Sequence, residues 1–137
     1  MRFTALLFAL ALPFAAQAGE LKLVINSTGL GGKSLFIAVH SIAADFPTKD
    51  DKAIKSAVIA TGDKTDLSLP NIAPGEYAVA VFADVNGNGK LDSNFIGIPK
   101  EPIGVSRDVK GRFGPPKFVD AAFKVGEGVT MQTIHIK

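Results

Sequence analysis

The sequence predicts an all-β protein: a single antiparallel β-sandwich of about seven short strands, with a long ordered loop laid over one face. Three observations carry that expectation. Apolar and polar side chains alternate over residues 20–26, with Leu21, Leu23 and Ile25 on one face and Glu20, Lys22 and Asn26 on the other, the period of a half-buried strand. Turn-forming residues punctuate the chain at 28–32, 61–63, 70–75 and 126–128. No long stretch carries the helical period.

Taken in order, the chain opens with the features of an export signal over residues 1–18. Arg2 supplies the basic start, residues 5–16 are apolar, and Ala16-Gln17-Ala18 fits the small-x-small cleavage rule. The apolar run is shorter than the roughly 20 residues of a membrane span. Cleavage after Ala18 is therefore expected, which would place residues 19–137 in the periplasm or the medium as one domain. With 15 basic and 13 acidic residues, the chain has no basic field for nucleic acid. It has no cysteine. Disulfides, thiol catalysis and zinc-thiolate sites are thereby excluded, and the domain depends on its core, with or without a metal.

Residues 34–42 form the second predicted strand. Apolar side chains on both of its faces (Leu35, Ile37, Val39; Phe36, Ala38) suggest a central place in a sheet. Residues 45–55 hold Pro47 and several charges and read as a surface connection with room for one helical turn. Strands follow at 54–60 and 64–69, then at 75–83, 121–125 and 129–137. In the strand 75–83, Tyr77, Val79 and Val81 would face the core, while Ala78, Ala80 and Phe82 face outward.

That strand runs into Asp84-Val85-Asn86-Gly87-Asn88-Gly89-Lys90-Leu91-Asp92, the most informative stretch of the chain. Oxygen-bearing side chains stand at Asp84, Asn86 and Asn88, the carbonyl of Lys90 falls at the seventh position, and Asp92 closes the loop at the ninth. This is the spacing of a calcium loop, because alternate residues of a tight turn can aim oxygens at one hard cation. The match ends there: the position of the bidentate glutamate is Phe95, and strand-like residues rather than a helix precede the loop. A structural calcium site built this way would be weak, on the order of 10⁻⁴ to 10⁻³ M. The alternative is a metal-free turn, since Asn-Gly is the strongest hairpin signal. Asn94, Glu101 and Asp120 are further ligands that only folding could bring near.

Residues 95–118 combine many Gly and Pro with Phe95, Ile96, Ile98, Ile103, Val105, Phe113 and Phe118. A segment this long is commonly disordered or functional, and this one is too apolar for disorder. It is expected to fold back over the outer face of the strand 75–83, where Ala78 and Ala80 permit close approach.

At these residues a resemblance emerges. Residues 69–79 (Leu-Pro-Asn-Ile-Ala-Pro-Gly-Glu-Tyr-Ala-Val), the loop 84–92, Phe95-Ile96-Gly97-Ile98-Pro99-Lys100-Glu101-Pro102 and Gly111-Arg112-Phe113-Gly114-Pro115-Pro116 together resemble a family of exported bacterial proteins defined by a domain of unknown function. The resemblance spans about residues 21–136. It implies a small prealbumin/Ig-like β-sandwich, akin to transthyretin-like and carboxypeptidase-regulatory-like domains, and carries over no catalytic residue.

Nor do the residues themselves assemble a catalytic motif: Gly-x-Ser-x-Gly and His-Glu-x-x-His are both missing. His40 and His135 read as surface residues at strand ends. Arg107, Lys110 and Arg112, with Glu101 and Asp108, form a polar cluster on unusual backbone; it either pins the loop by ion pairs or offers an anion-recognising lip. Arg107, Arg112 and Phe113 are the candidate binding residues. The expected function is thus a non-catalytic, exported binding or accessory module for a protein, peptide or glycan partner. A small-ligand carrier with a cavity in or between sandwiches is the second reading, and a metal-assisted hydrolase the third.

Overall fold

The protein is described from a computed structural model over residues 17–137. The expected export signal, residues 1–18, lies outside the described residues except for Gln17 and Ala18.

Among the described residues, eight strands build two sheets. β1 (Gly19–Asn26), β4 (Lys64–Ile72) and β8 (Val129–His135) form a three-stranded sheet in the order β4-β1-β8. β2 (Ser34–His40), β3 (Ile54–Ile59), β5 (Gly75–Asp84) and β6 (Ile103–Val105) form the second in the order β3-β2-β5-β6, and β7 (Phe123–Val125) pairs with the start of β5. A 3₁₀ turn, Ser106–Asp108, and the single helical turn α1 (Phe118–Ala121) complete the described elements.

The alternation read from the sequence decides which side chains are buried. Leu21, Leu23 and Ile25 of β1 and Ile134 of β8 come from one sheet; Leu35, Ile37 and Val39 of β2 and Tyr77, Val79, Val81 and Ala83 of β5 come from the other, and all belong to one core cluster. Each fully buried Leu, Ile or Val contributes about 1.5–3 kcal/mol, so this cluster supplies the main driving force. β2 is central as expected, with β3 on one side and β5 on the other.

Four expectations are corrected. The sheets are not wholly antiparallel: β8 runs parallel to β1 from Glu20↔Val129 to Asn26↔His135. Alternation sets which face of a strand is buried but carries no information on its direction. β4 continues through Pro70 to Ile72, because it lies at a sheet edge where a missing N–H costs no ladder bond. The crossing to the other sheet is left to Ala73 and Pro74, and the Tyr77 hydroxyl donates to the Ala73 carbonyl at 2.6 Å to fix it. The strand expected at 121–125 begins only at Phe123, because Ala121 closes the helical turn α1. Finally, His40 is buried, with its ring edge-on to Phe46 at a centroid distance of 5.4 Å. The connection after β2 folds Phe46 down onto the sheet and covers the end of the strand.

The outer face of β5 is covered in part as expected. Ala78, Phe46, Val105 and Ala121 are buried together there, with Ala80, Val109 and Phe118 packed around them. The expectation that the whole interval 95–118 would pack is corrected, however, since Phe95, Ile96, Ile98 and Phe113 are all exposed. Of this interval only Val105, Val109 and Phe118 pack with Ala78 and Ala80 over the sheet. β6 pairs with residues 80–82 of β5 and meets the end of the chain through reciprocal bonds, Ile103 N–H to the Lys137 carbonyl at 3.1 Å and Lys137 N–H to the Ile103 carbonyl at 3.0 Å. A side chain on Gly104 would lie 2.7 Å from the His135 carbonyl oxygen, so glycine is what lets the two sheets close at this corner.

Candidate functional site

The loop 84–92 leaves the end of β5, whose last residue is Asp84. Asp84 is buried and its carboxylate holds the loop from within. One oxygen accepts the N–H groups of Gly87 (3.0 Å) and Asn88 (3.2 Å), and the other accepts that of Gly89 (2.7 Å). Three amides can converge on one side chain only if the backbone turns back on itself. The φ values of +76° at Gly87 and +75° at Gly89 provide that turn, and they explain why both Asn-Gly pairs end in glycine.

On the outer side Asn86, Asn88 and Asp92 meet. The Asn88 side-chain amide donates to both Asp92 oxygens at 2.9 Å, and the Asn86 amide donates to Asp92 Oδ2. Their carbonyl oxygens cap the loop's own backbone, Asn86 accepting from Asn88 N–H at 3.2 Å and Asn88 from Lys90 N–H at 3.0 Å. The amide donors of Asn86 and Asn88, helped by the charge of Lys100, hold the Asp92 carboxyl below its ordinary range. Four of the five expected ligands, Asp84, Asn86, Asn88 and Asp92, are thus gathered in one bonded loop with Lys90 between the last two.

Of the three further candidates, folding brings one to the loop. Glu101 is buried beneath it and bonds both of its ends, accepting the Val85 N–H at 2.6 Å and the Asp92 N–H at 3.0 Å. Its oxygens serve the backbone. Asn94 instead caps the next turn, accepting from Ile96 and Ile98 N–H at 3.1 and 2.9 Å. Asp120 is exposed on α1. Among the described residues, no group of three or more His, Cys, Asp or Glu side chains gathers around one point.

The polar cluster expected after β6 is divided between tasks. Asp108 accepts the His135 backbone N–H at 2.9 Å and pairs with its ring Nδ1 at 2.7 Å, tying the 3₁₀ turn to β8. Partial burial opposes the charge of Asp108, but the two bonds from His135 and the charges of His135 and Lys137 outweigh it and lower its pKa. Arg107 and Asp108 both have left-handed backbone, with φ of +62° and +50°. The Arg107 guanidinium reaches the Ala122 carbonyl at 3.4 Å. Arg112 and Phe113 stand exposed on the loop between Asp108 and α1. His135 is at the surface as expected, whereas His40 is inside, where burial lowers its pKa against the raising effect of the Asp50 and Asp45 charges.

Most buried polar side chains support backbone. Ser106 accepts from Val79 N–H and donates to the Ala121 carbonyl, and Ser27 bonds the Gly62 carbonyl and Thr65. Two surface depressions stand out. One of about 440 Å³ lies between residues 43–48 and 115–119, and the other, about 610 Å³, is on the outer face of the three-stranded sheet around Lys22, Asp66 and Met131. Neither is enclosed between the sheets.

The chain is thus a mostly β, two-sheet domain in which the loop carboxylates Asp84, Glu101 and Asp108 bind backbone amides. It belongs to the bacterial family DUF2141, described as an uncharacterized protein conserved in bacteria, whose pattern matches residues 26–133. No curated protein and no solved structure matches it. Among the described residues no helix is long and apolar enough to cross a membrane.

Proposed function

We propose that this is an exported, non-catalytic accessory module of the β-sandwich type, akin to transthyretin-like domains, in which a structural calcium loop holds the loop face rigid for a partner. The observation that carries the reading is the construction of residues 84–92. Asp84 gathers three backbone amides, and Asp92 sits at the meeting point of two asparagine side chains. Asp84, Asn86, Asn88 and Asp92, with the Lys90 carbonyl, would hold the cation. Two carboxylates and neutral oxygens suit a hard ion at modest affinity, and Glu101 bound to both loop ends fixes the frame around it. The partner surface is the loop of Arg107, Arg112 and Phe113, where a fully exposed phenylalanine stands beside basic side chains that fit a protein, peptide or glycan carrying acidic groups. An N-terminal leader ending at Ala18 would place the module in the periplasm or the medium.

The test is the melting temperature of residues 19–137, which contain every described strand and the whole described core, in excess calcium and in chelator. A cation at 100 times its dissociation constant adds about 2.7 kcal/mol, which raises the midpoint of a domain this size by roughly 10 °C. Asp84→Ala should abolish the shift and Asp50→Ala should leave it. The same midpoint with and without calcium, or equal loss in both variants, rejects the calcium loop.

A further inference from the structure

We propose that the turn formed by residues 93–99 is a membrane-docking tip that inserts Phe95, Ile96 and Ile98 into the interface of an anionic phospholipid bilayer. This surface is separate from the Arg107–Phe113 region and goes beyond the calcium reading, since the bonds that shape it come from the protein alone.

The turn is a small closed unit. Ser93 and Pro99 form a bridge at its foot, Asn94 N–H donates to the Ile98 carbonyl at 2.8 Å, and Gly97 N–H donates to the Asn94 carbonyl at 3.0 Å. The Asn94 side chain takes the N–H groups of Ile96 and Ile98. Four amide donors of the tip are therefore satisfied internally, and an unsatisfied amide is what makes backbone costly to remove from water. Meanwhile the apolar side chains are turned out. Phe95 is 99% exposed, Ile96 65% and Ile98 54%. A solvated loop would have no reason to fix its backbone so fully and hold three large apolar groups in water.

Exposure and charge select the occupant. Three exposed apolar side chains on one short turn need no preformed pocket in a lipid interface, which deforms around them. Residues 93–99 contain no acidic side chain. Lys90 and Lys100 flank the tip in sequence and are exposed. Of the carboxylates at this end, Asp84 and Glu101 are buried on backbone amides, while Asp92 lies at the surface with its oxygens taken by the side-chain amides of Asn86 and Asn88. Apolar insertion flanked by ammonium groups is the chemistry of an anionic lipid surface.

The chain has no tryptophan, so a single one reports on its own surroundings. In residues 19–137, Phe95→Trp should shift its emission to the blue on vesicles containing phosphatidylglycerol and be quenched by brominated lipid, with little change on pure phosphatidylcholine. Val129→Trp, exposed at the start of β8 and outside both loops, should not respond. Phe95→Ser with Ile96→Ser should weaken co-sedimentation with the anionic vesicles about tenfold or more, with the melting temperature unchanged. The proposal is overturned if Phe95→Trp is silent on anionic vesicles, or if both tryptophans respond alike. A blue shift that follows protein concentration without lipid overturns it too, because the tip then meets a second copy of the chain. None of these outcomes depends on the calcium shift of the melting temperature, so the two readings fail separately.

Discussion

Asp84 and Glu101 divide the loop between them: Asp84 binds the amides of its middle, Gly87 to Gly89, and Glu101 binds those of its two ends, Val85 and Asp92. Both carboxylates are buried, at 5% and 8% exposure, and both point at N–H groups that the tight turn leaves without backbone partners. Hydrogen bonds to an ionised acceptor contribute more than neutral ones, about 1.5–3 kcal/mol each. The loop's shape therefore rests on two side chains more than on its own turn propensity.

Replacing Glu101 tests that division. Glu101→Ala removes both end bonds and should lower the unfolding free energy by about 2–4 kcal/mol in urea titration. Glu101→Gln keeps one acceptor oxygen and should lose roughly half as much. Loss below 0.5 kcal/mol in the alanine variant would show that water replaces the carboxylate and that the loop needs no clasp.

Closure of the corner between the sheets rests on a missing side chain. A Cβ at residue 104 would sit 2.7 Å from the His135 carbonyl oxygen and 2.8 Å from Ile134 Cγ2. Gly104→Ala must push β6 off β8 and strain the Ile103–Lys137 bonds, at a cost of about 1–3 kcal/mol. Hydrogen exchange should show faster loss of protection at Ile103 and Lys137 than at β1. Unchanged exchange there would mean that the corner is looser than described.

His40 should make stability depend on pH. Its Nε2 is buried without a hydrogen-bond partner, and burial lowers its pKa, with Asp50 and Asp45 acting in the opposite sense. In the unfolded chain the ring titrates near 6.5. Above that value both states hold it neutral and its contribution is complete. As pH falls below 6.5 the unfolded chain takes up a proton that the folded protein resists, and stability declines until the folded pKa is reached. The urea midpoint should fall between about pH 7.5 and about pH 5.5, and His40→Leu should flatten that fall. A His40→Leu profile parallel to the unsubstituted chain would place the titration elsewhere.

How much of this was legible in the sequence follows from the range of each interaction. Alternation gave the buried faces of β1 and β5, since side-chain direction in a strand is a local matter, and the spacing of Asp84, Asn86, Asn88 and Asp92 located the loop because all lie within one turn of chain. The signal for Glu101 was weaker: a carboxylate in an apolar, Gly/Pro-rich segment is unusual, but its partners are distant in sequence. Nothing local marked His40 as buried, because its cover, Phe46, comes from a connection that reads as polar. The segment 95–118 was misjudged for a related reason. Composition counted its apolar residues together, while folding sends Val105, Val109 and Phe118 onto Ala78 and Ala80 and leaves Phe95, Ile96, Ile98 and Phe113 in water.

By itself, then, the sequence determined the all-β class, the family, the inward face of the main strands and the position of the Asx-rich loop, all properties set by periodicity and near neighbours. Tertiary structure alone decided that β8 lies parallel to β1, that Gly104 closes the corner, that Glu101 clasps the loop, and which apolar residues stay outside. Those depend on which distant segments meet, and a chain's local pattern leaves open the partner that each exposed edge and each spare carboxylate finds once the core has formed.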